Sequence, residues 1–529
     1  MRILLLTHAF NSLTQRLGAE LSQRGHEISI EFDIADSVTE EAVALFRPHL
    51  IVAPYLRRAI PESVWSRHVC LIVHPGIPGD RGPSALDWAI QEGVAEWGVT
   101  VLQAEAEMDA GPIWASTKFP MRLTKKSSVY RNEVTQAATS AVLQAVQRFE
   151  SGDFLPQALA TLSNVHGRLR PLMKQQHRSL DWQRDDSATV LRKIRAADGF
   201  PGVADSLFDQ PCHLFDAWPE ATLRGTPGTL IARRETAVLR ATVDGAVWIG
   251  HARQPDGIKL PASRAFVAEA AALPQAPLDN WWRIDRPTWQ DIAYEEVGAV
   301  GFLHFEFYNG AMSSAQCLRL QAALAWARQR PVRVLVLMGG TDFWSNGIHL
   351  NVIEAASLSG DSAADESWRN INAMNDLTLE LLTTENQITV AALAGNTGAG
   401  GCFLARAADQ VWAREAVMLN PHYKNMGNLY GSEYWTYSLP RRLGGDAARA
   451  IMRDRQPLTA QRALEIGFSD VCMVGDVPAF HRAVAQRAAQ LAQQADWSDR
   501  INAKREARAR DEAAKPPCRL PRRRTGADA

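Results

Sequence analysis

Residues 71–82 read LIVHPGIPGDRG: an apolar run that ends in a histidine and opens into a loop of glycine, proline and charge. With Val69 and Cys70 before it, the run is five consecutive apolar residues, which reads as a buried strand. Similar short runs lie on either side. Arg2–Leu6, Glu27–Glu31, Leu50–Ala53, Val69–Val73 and Val99–Leu102 are the expected strands, and Thr14–Arg24 and Glu40–Phe46 between them have helical periodicity. Strands alternating with helices predict a mostly parallel sheet in an open α/β domain. Ligands of such sheets bind at the carboxyl ends of the strands, which singles out the segments after Leu6, Ala53 and Val73.

Further along, the pattern changes twice. From about 170 to 270 one helix, Ala188–Ala196, precedes glycine and proline punctuation, GFPGV at 199–203 and GTPGT at 225–229. The runs Val238–Val243 and Ala246–Ile249, joined through Asp244–Gly245, then predict a small β-rich domain. Pro274–Pro287 has the composition of a linker. The third region opens with β-like GAVGFLHFEF at 298–307, followed by a helix over Ser314–Gln329 and the strand VRVLVLMG at 332–339. A helix around 368–383 leads to the strand ITVAALAG at 388–395. The last 45 or so residues read as a charged helix with a basic tail: nine Lys/Arg against four Asp/Glu between 501 and 529, a solvated end.

The chain has 529 residues, 46% hydrophobic and 22% charged, enough for about three domains with ordinary cores. With 57 basic and 58 acidic side chains, it lacks the positive balance of a nucleic-acid binder. Six scattered cysteines form no metal-ligand spacing and suit a reducing compartment. No run of about 18 apolar residues exists, and the start MRILLLTHAF lacks the features of a signal peptide, so a cytoplasmic protein without membrane contact is expected.

Two constellations carry chemistry. In the first, His74 stands at a strand end and Asp109 in MDAGPI on a neighbouring one. Either alone serves as a turn residue; together they can polarise a carbonyl and shuttle a proton near neutral pH. In the second, GGTDFWSNGIHL at 339–350 and GNTGAGGCFLA at 395–405 each follow an apolar strand. Glycine-bearing turns of this kind expose backbone N–H groups, and two from neighbouring strands can stabilise a developing oxyanion.

LIVHPGIPGDRG, together with SALDWAI, GVTVLQAEAEMDAGPI, IRAADGFPG and GTPGT, resembles the 10-formyltetrahydrofolate-dependent formyltransferase family over roughly residues 1–265. The resemblance implies a Rossmann-like N-terminal domain with a small β-rich C-terminal partner, His74 as proton carrier and Asp109 as its orienting carboxylate. It also implies a folate pocket lined by Pro75, Gly76, Ile77 and Pro78, with Tyr55, Arg81, Gln15 and Arg16 as further binding residues. Tyr55 and Arg57 read equally as plain surface side chains. The family has Asn where this chain has Ile72, and an oxyanion donor contributes about 2.7–4 kcal/mol.

The two glycine turns, with PLTAQRALEIGFSD at 457–470, resemble the crotonase superfamily of acyl-CoA enzymes over about 290–480. That likeness implies oxyanion N–H donors at Ile348 and Gly400, with Gly347 and Gly401 beside the coenzyme A thioester. His349 stands in place of the usual Asp, and the two hydratase glutamates align with Phe403 and His422, so hydration is not expected. The replacements should lie in residues 420–442, which carry His422, Tyr423, Lys424, Glu433, Tyr434 and Tyr437; Tyr423 and Glu433 are the expected proton-handling pair. Trp435 and Tyr437 read more readily as core.

The order of the halves resembles the HypX type of [NiFe]-hydrogenase maturation factor. Boundaries of 1–168, 169–272, 288–480 and 481–529 follow, with 10-formyltetrahydrofolate and coenzyme A as small-molecule partners and other hydrogenase maturation proteins as macromolecular ones. The implied activity is formyl transfer to coenzyme A followed by decarbonylation of formyl-CoA to CO. A formyltetrahydrofolate hydrolase and a non-catalytic folate- and CoA-binding assembly factor are the alternatives, with a tRNA formyltransferase behind them.

Overall fold

The computed structural model describes residues 1–163, 165–358, 360–423 and 431–514. The chain forms two compact units, Met1–Ala276 and Pro277–Ala529.

In the first unit a six-stranded sheet runs in the order Glu27–Phe32, Arg2–Thr7, Leu50–Tyr55, Cys70–His74, Glu96–Gln103, Ile113–Pro120. The first four strands are parallel; the last two form an antiparallel edge. Burial on both faces explains why the inner strands read as unbroken apolar runs. Alternation separates the faces: Leu71 and Val73 join the core that holds Leu13 and Leu17, while Ile72 packs with Leu4, Leu6 and Ile51. The expected helices form at Ser12–Gln23, where the Asn11 side chain accepts from Thr14 N–H, and at Asp36–Phe46. The strand Ile113–Pro120 was not anticipated; from Ala115 onward its burial alternates, the mark of an edge strand.

The β-rich part of the same unit is an antiparallel sheet, Val203–Leu207, Gln210–Glu220, Ala246–Arg253, Ala237–Ala241 and Leu230–Arg234, extended by Leu260–Pro261. Helix Ser187–Ala197 covers one face through Val190, Leu191 and Ile194.

In the second unit the main sheet runs Ile292–Val297, Val300–Phe305, Val334–Gly339, Ile388–Leu393, Gln410–Arg414, Val471–Met473. A four-stranded sheet, Phe343–Ser345, Asn396–Gly398, Met418–Asn420 and Leu458–Thr459, collects the short strands that follow the long ones. This is a crotonase fold. Helices Ser314–Ala327 and Ala363–Leu382 cover one face, and Val477–Ala492 covers the other through Phe480, Val484 and Ala488. The single charged helix expected at the end is two, Val477–Ala492 and Trp497–Ala514; the second is docked by buried Ile501 and by Trp497, whose indole donates to the Arg333 carbonyl at 3.1 Å. The basic tail lies outside the described residues. The expected linker is tied down within each unit: Gln275 bridges to Arg233 in the first, and Trp282 bridges to Tyr294 in the second. No described helix is long and apolar enough to cross a membrane.

Candidate functional site

His74 is the last residue of strand Cys70–His74 and is buried. Its Nδ1 lies 3.5 Å from Asp109 Oδ2, and its Nε2 lies 3.3 Å from Asp80 Oδ1. Asp109 sits in the turn between the two antiparallel strands in a left-handed conformation, φ 53°, which aims its carboxylate back to accept from the Gly82 N–H at 3.0 Å. The Pro75–Pro78 loop is fixed by its carbonyls: Trp97 Nε1 donates to Pro75 at 2.9 Å and Thr100 Oγ1 to Gly76 at 2.8 Å. A Cβ at Gly76 would collide with the His74 ring, so the glycine is a condition of the histidine's position.

Asp80 was not singled out in the sequence. It is fully buried, and its second oxygen accepts from Arg170 Nε at 2.7 Å; Arg170 in turn reaches Glu92 at 2.7 Å. Breaking a buried pair of this kind typically costs about 3–5 kcal/mol. Arg81, its neighbour, instead pairs with the exposed Glu107.

The loop after the first strand is held by different contacts. Gln15 donates to the Phe10 carbonyl at 3.0 Å. Arg16 is buried with its guanidinium on Glu20 at 2.9 Å and Gln136 at 2.7 Å, which makes it a packing residue between helices. Tyr55 stands edge-on to both His8 and Tyr130, with ring centroids 6.1 and 6.3 Å away. The Arg57 guanidinium lies over the Phe200 ring at 5.4 Å.

In the second unit the glycine turns come together. Gly347 has φ 77°, and a Cβ there would stand 3.2 Å from the Gly400 nitrogen. The Gly347 carbonyl accepts from Met312 N–H at 2.9 Å, the Asn346 N–H donates to the Gly310 carbonyl at 2.7 Å, and Asn370 accepts from His349 N–H at 3.0 Å. Neither the Ile348 nor the Gly400 N–H donates to any acceptor among the described residues. Gly400 opens helix Gly400–Arg406 behind Ala399, itself at φ 47°. Gly401 packs against Ser345, whose carbonyl a Cβ would enter.

The Glu433 carboxylate lies on the Gly400 Cα, where a Cβ would strike Oε1. Its Oε2 accepts from the Tyr423 hydroxyl and from Ser432 N–H at 3.1 Å, while its own N–H donates to Asn375 Oδ1 at 2.7 Å. Glu433 and Tyr434 are consecutive non-glycine residues in the left-handed region, φ 47° and 54°. Each such conformation costs about 1–2 kcal/mol and persists where the surroundings enforce it, commonly at functional sites. Phe403, standing in place of a hydratase glutamate, stacks on Tyr423 with centroids 6.0 Å apart. Burial raises the Glu433 carboxyl above the usual carboxylate range; burial, then the adjacent Glu433 charge, lift the Tyr423 phenol well above its own. Lys424 lies outside the described residues.

Residues 31–146 match the formyl transferase family, 172–268 the formyl transferase C-terminal domain and 303–515 the enoyl-CoA hydratase/isomerase family. The chain is 53% identical over 518 residues to the hydrogenase maturation factor HoxX of Bradyrhizobium diazoefficiens, covering 98% of this chain and 89% of that protein. The crystal structure of HypX from Aquifex aeolicus in complex with tetrahydrofolic acid is similar at TM-score 0.92 and 47% identity, over 96% of this chain and 88% of that one. Methionyl-tRNA formyltransferase of Paraburkholderia phymatum is 29% identical over 230 residues, 42% of this chain and 68% of that enzyme.

Proposed function

The chain belongs to the HoxX/HypX family of hydrogenase maturation factors, and from that premise we propose that it makes carbon monoxide in two steps. In the first, the thiolate of coenzyme A attacks the formyl carbon of 10-formyltetrahydrofolate. The bond from that carbon to N10 breaks, and the proton surrendered by the thiol returns to N10. His74 carries that proton and Asp109 orients it. The Aquifex protein solved with tetrahydrofolic acid supports folate as the carrier.

In the second step the formyl oxygen of formyl-CoA takes the Ile348 and Gly400 N–H groups, as thioester oxygens are held in an oxyanion site. The Glu433 carboxylate removes the formyl C–H proton. The electrons of that bond become the carbon lone pair of CO, the carbon–sulfur bond breaks, and the leaving thiolate recovers the proton from Glu433. Tyr423 hydrogen-bonds the carboxylate throughout. The observation that carries the reading is the buried Glu433 carboxylate on the Gly400 Cα, beside an N–H with no acceptor among the described residues. A base of raised pKa in an enclosed place suits the removal of a weakly acidic proton.

The test mixes protein, 10-formyltetrahydrofolate and coenzyme A and follows CO by the spectral shift of deoxymyoglobin. CO that requires both substrates and disappears in His74→Ala and in Glu433→Ala is expected. Ile72, which stands where the formyltransferase pattern has its asparagine, favours one second reading, hydrolysis of the formyl group. Formate in place of CO, indifferent to coenzyme A, would establish it and overturn the first.

A further inference from the structure

We infer that Asp80 is the positioning residue for His74, with Arg170 as the counter-charge that fixes it; the inference rests on the reading of His74 as the proton carrier. Both imidazole nitrogens face carboxylates, Nδ1 toward Asp109 at 3.5 Å and Nε2 toward Asp80 at 3.3 Å. Each carboxylate has a second partner that holds it in place: Gly82 N–H on Asp109 at 3.0 Å and Arg170 Nε on Asp80 at 2.7 Å. A carboxylate beside a ring nitrogen favours a proton on that nitrogen and fixes the plane of the ring.

The backbone is shaped to allow this contact. The Asp80 side chain has no exposed surface, and a carboxylate is buried at that depth only when it is paired. A Cβ on Gly76 would stand 2.9 Å from Asp80 Oδ1 and inside the His74 ring, and one on Gly167 would enter the Asp80 backbone. The segment that contains Gly167 also supplies Arg170, whose N–H donates to the Arg81 carbonyl at 2.9 Å; Arg81 N–H donates to the Arg168 carbonyl at 3.1 Å. Asp80 is therefore held through Arg81 on one side and by its own N–H on the Ile77 carbonyl at 2.9 Å, with its side chain turned inward while that of Arg81 pairs outward with Glu107. With Asp80 on Nε2 and Asp109 on Nδ1, the imidazole plane is held from both sides, and the ring cannot turn without giving up both carboxylates.

The experiment uses the full chain labelled with 15N-histidine, the His74 resonances being assigned by their loss in His74→Gln. Asp80→Asn is expected to shift the His74 Nε2 resonance toward the unprotonated form. The same variant should slow single-turnover formyl transfer by at least about tenfold while tetrahydrofolate affinity stays within about twofold. Arg170→Lys, which keeps the buried charge, should retain most of the rate. Should Asp80→Asn fail to fold, Asp80→Glu, which keeps the charge for Arg170 but moves the carboxylate relative to Nε2, gives the same two readouts. Unchanged His74 resonances and full rate would overturn the inference, as would parallel loss of rate, folate affinity and thermal stability. A parent protein that transfers no formyl group would sink the formyl-transfer reading alone, because the resonance shift reports on Asp80 without any substrate.

Discussion

The Glu433 carboxylate occupies the space above the Gly400 Cα that any side chain at that position would need. The carboxylate has little freedom to retreat, because Tyr423 and Ser432 hold its Oε2 and Asn375 holds its backbone. Gly400→Ala is therefore expected to push the proposed proton acceptor off its station without touching the folate half. Displacement of about 1 Å can cost about 10²-fold in rate. CO release from added formyl-CoA should fall by that order, while formyl transfer from 10-formyltetrahydrofolate to coenzyme A proceeds at the parental rate. Equal loss in both assays would mean that Gly400 serves the stability of the whole chain.

Burial keeps the proton on Glu433 to higher pH than on an exposed glutamate, whose value is 4.5. Above that pH the native protein binds more protons at this site than the unfolded chain does. The stability belonging to the protonated group is complete below 4.5 and is lost as pH rises through the native titration. Glu433→Gln removes the loss along with the base. Its melting temperature should exceed the parent's by a margin that grows as pH rises above 4.5 and levels off once the native carboxyl has lost its proton, with no CO produced at any pH. A margin independent of pH would contradict the assignment of a buried, proton-retaining glutamate.

The Asp109 carboxylate lies 3.5 Å from His74 Nδ1 and accepts from the Gly82 N–H, and only the first relationship belongs to the proposed chemistry. Asp109→Asn preserves an oxygen for Gly82 and tolerates the left-handed backbone. The variant should bind tetrahydrofolate as the parent does and transfer formyl about 10²-fold more slowly, the low end of what a general acid–base group contributes. Weak folate binding with a normal single-turnover rate would assign Asp109 to the loop and not to the proton.

The strands that surround these residues were legible because burial on both faces leaves apolar runs such as VLVLMG and ITVAAL, whose ends differ from expectation by only a few residues. His74 and Asp109 were legible as strand-end residues in a recognisable loop, and Gly347 and Gly400 as exits from apolar strands. Asp80 lay within the same quoted stretch, yet its importance depends on Arg170, ninety residues later, and no local pattern reports such a partner. The contacts of Arg16 were legible only in part: Glu20 one turn on was the available sign of an intrahelical pair, whereas Gln136 lies 120 residues away and has no local signature. The left-handed turn at Glu433 and Tyr434 has no sequence signature beyond Gly431, because surrounding contacts and not intrinsic preference impose it.

Asp511, on helix Trp497–Ala514, accepts from the Tyr437 hydroxyl at 2.7 Å and pairs with Arg441. Both partners belong to helix Trp435–Leu443, which begins immediately after the Glu433–Tyr434 turn. The far side of the Asp511 helix is anchored by Lys504, which reaches Asp409 at 2.6 Å and the Gln387 carbonyl at 2.9 Å. Asp511 thus ties the segment carrying Glu433 to the main sheet through a route that touches no substrate. Asp511→Ala should destabilise the protein by about 1.5–3 kcal/mol, the worth of a hydrogen bond to a charged group, and slow CO release a few-fold with formyl transfer intact. Tyr437→Phe removes the same bond from its other end. The double variant should therefore be no worse than Asp511→Ala alone in CO release, the non-additivity that marks a shared interaction. Fully additive losses would show that Asp511 acts on the helix through Arg441 alone.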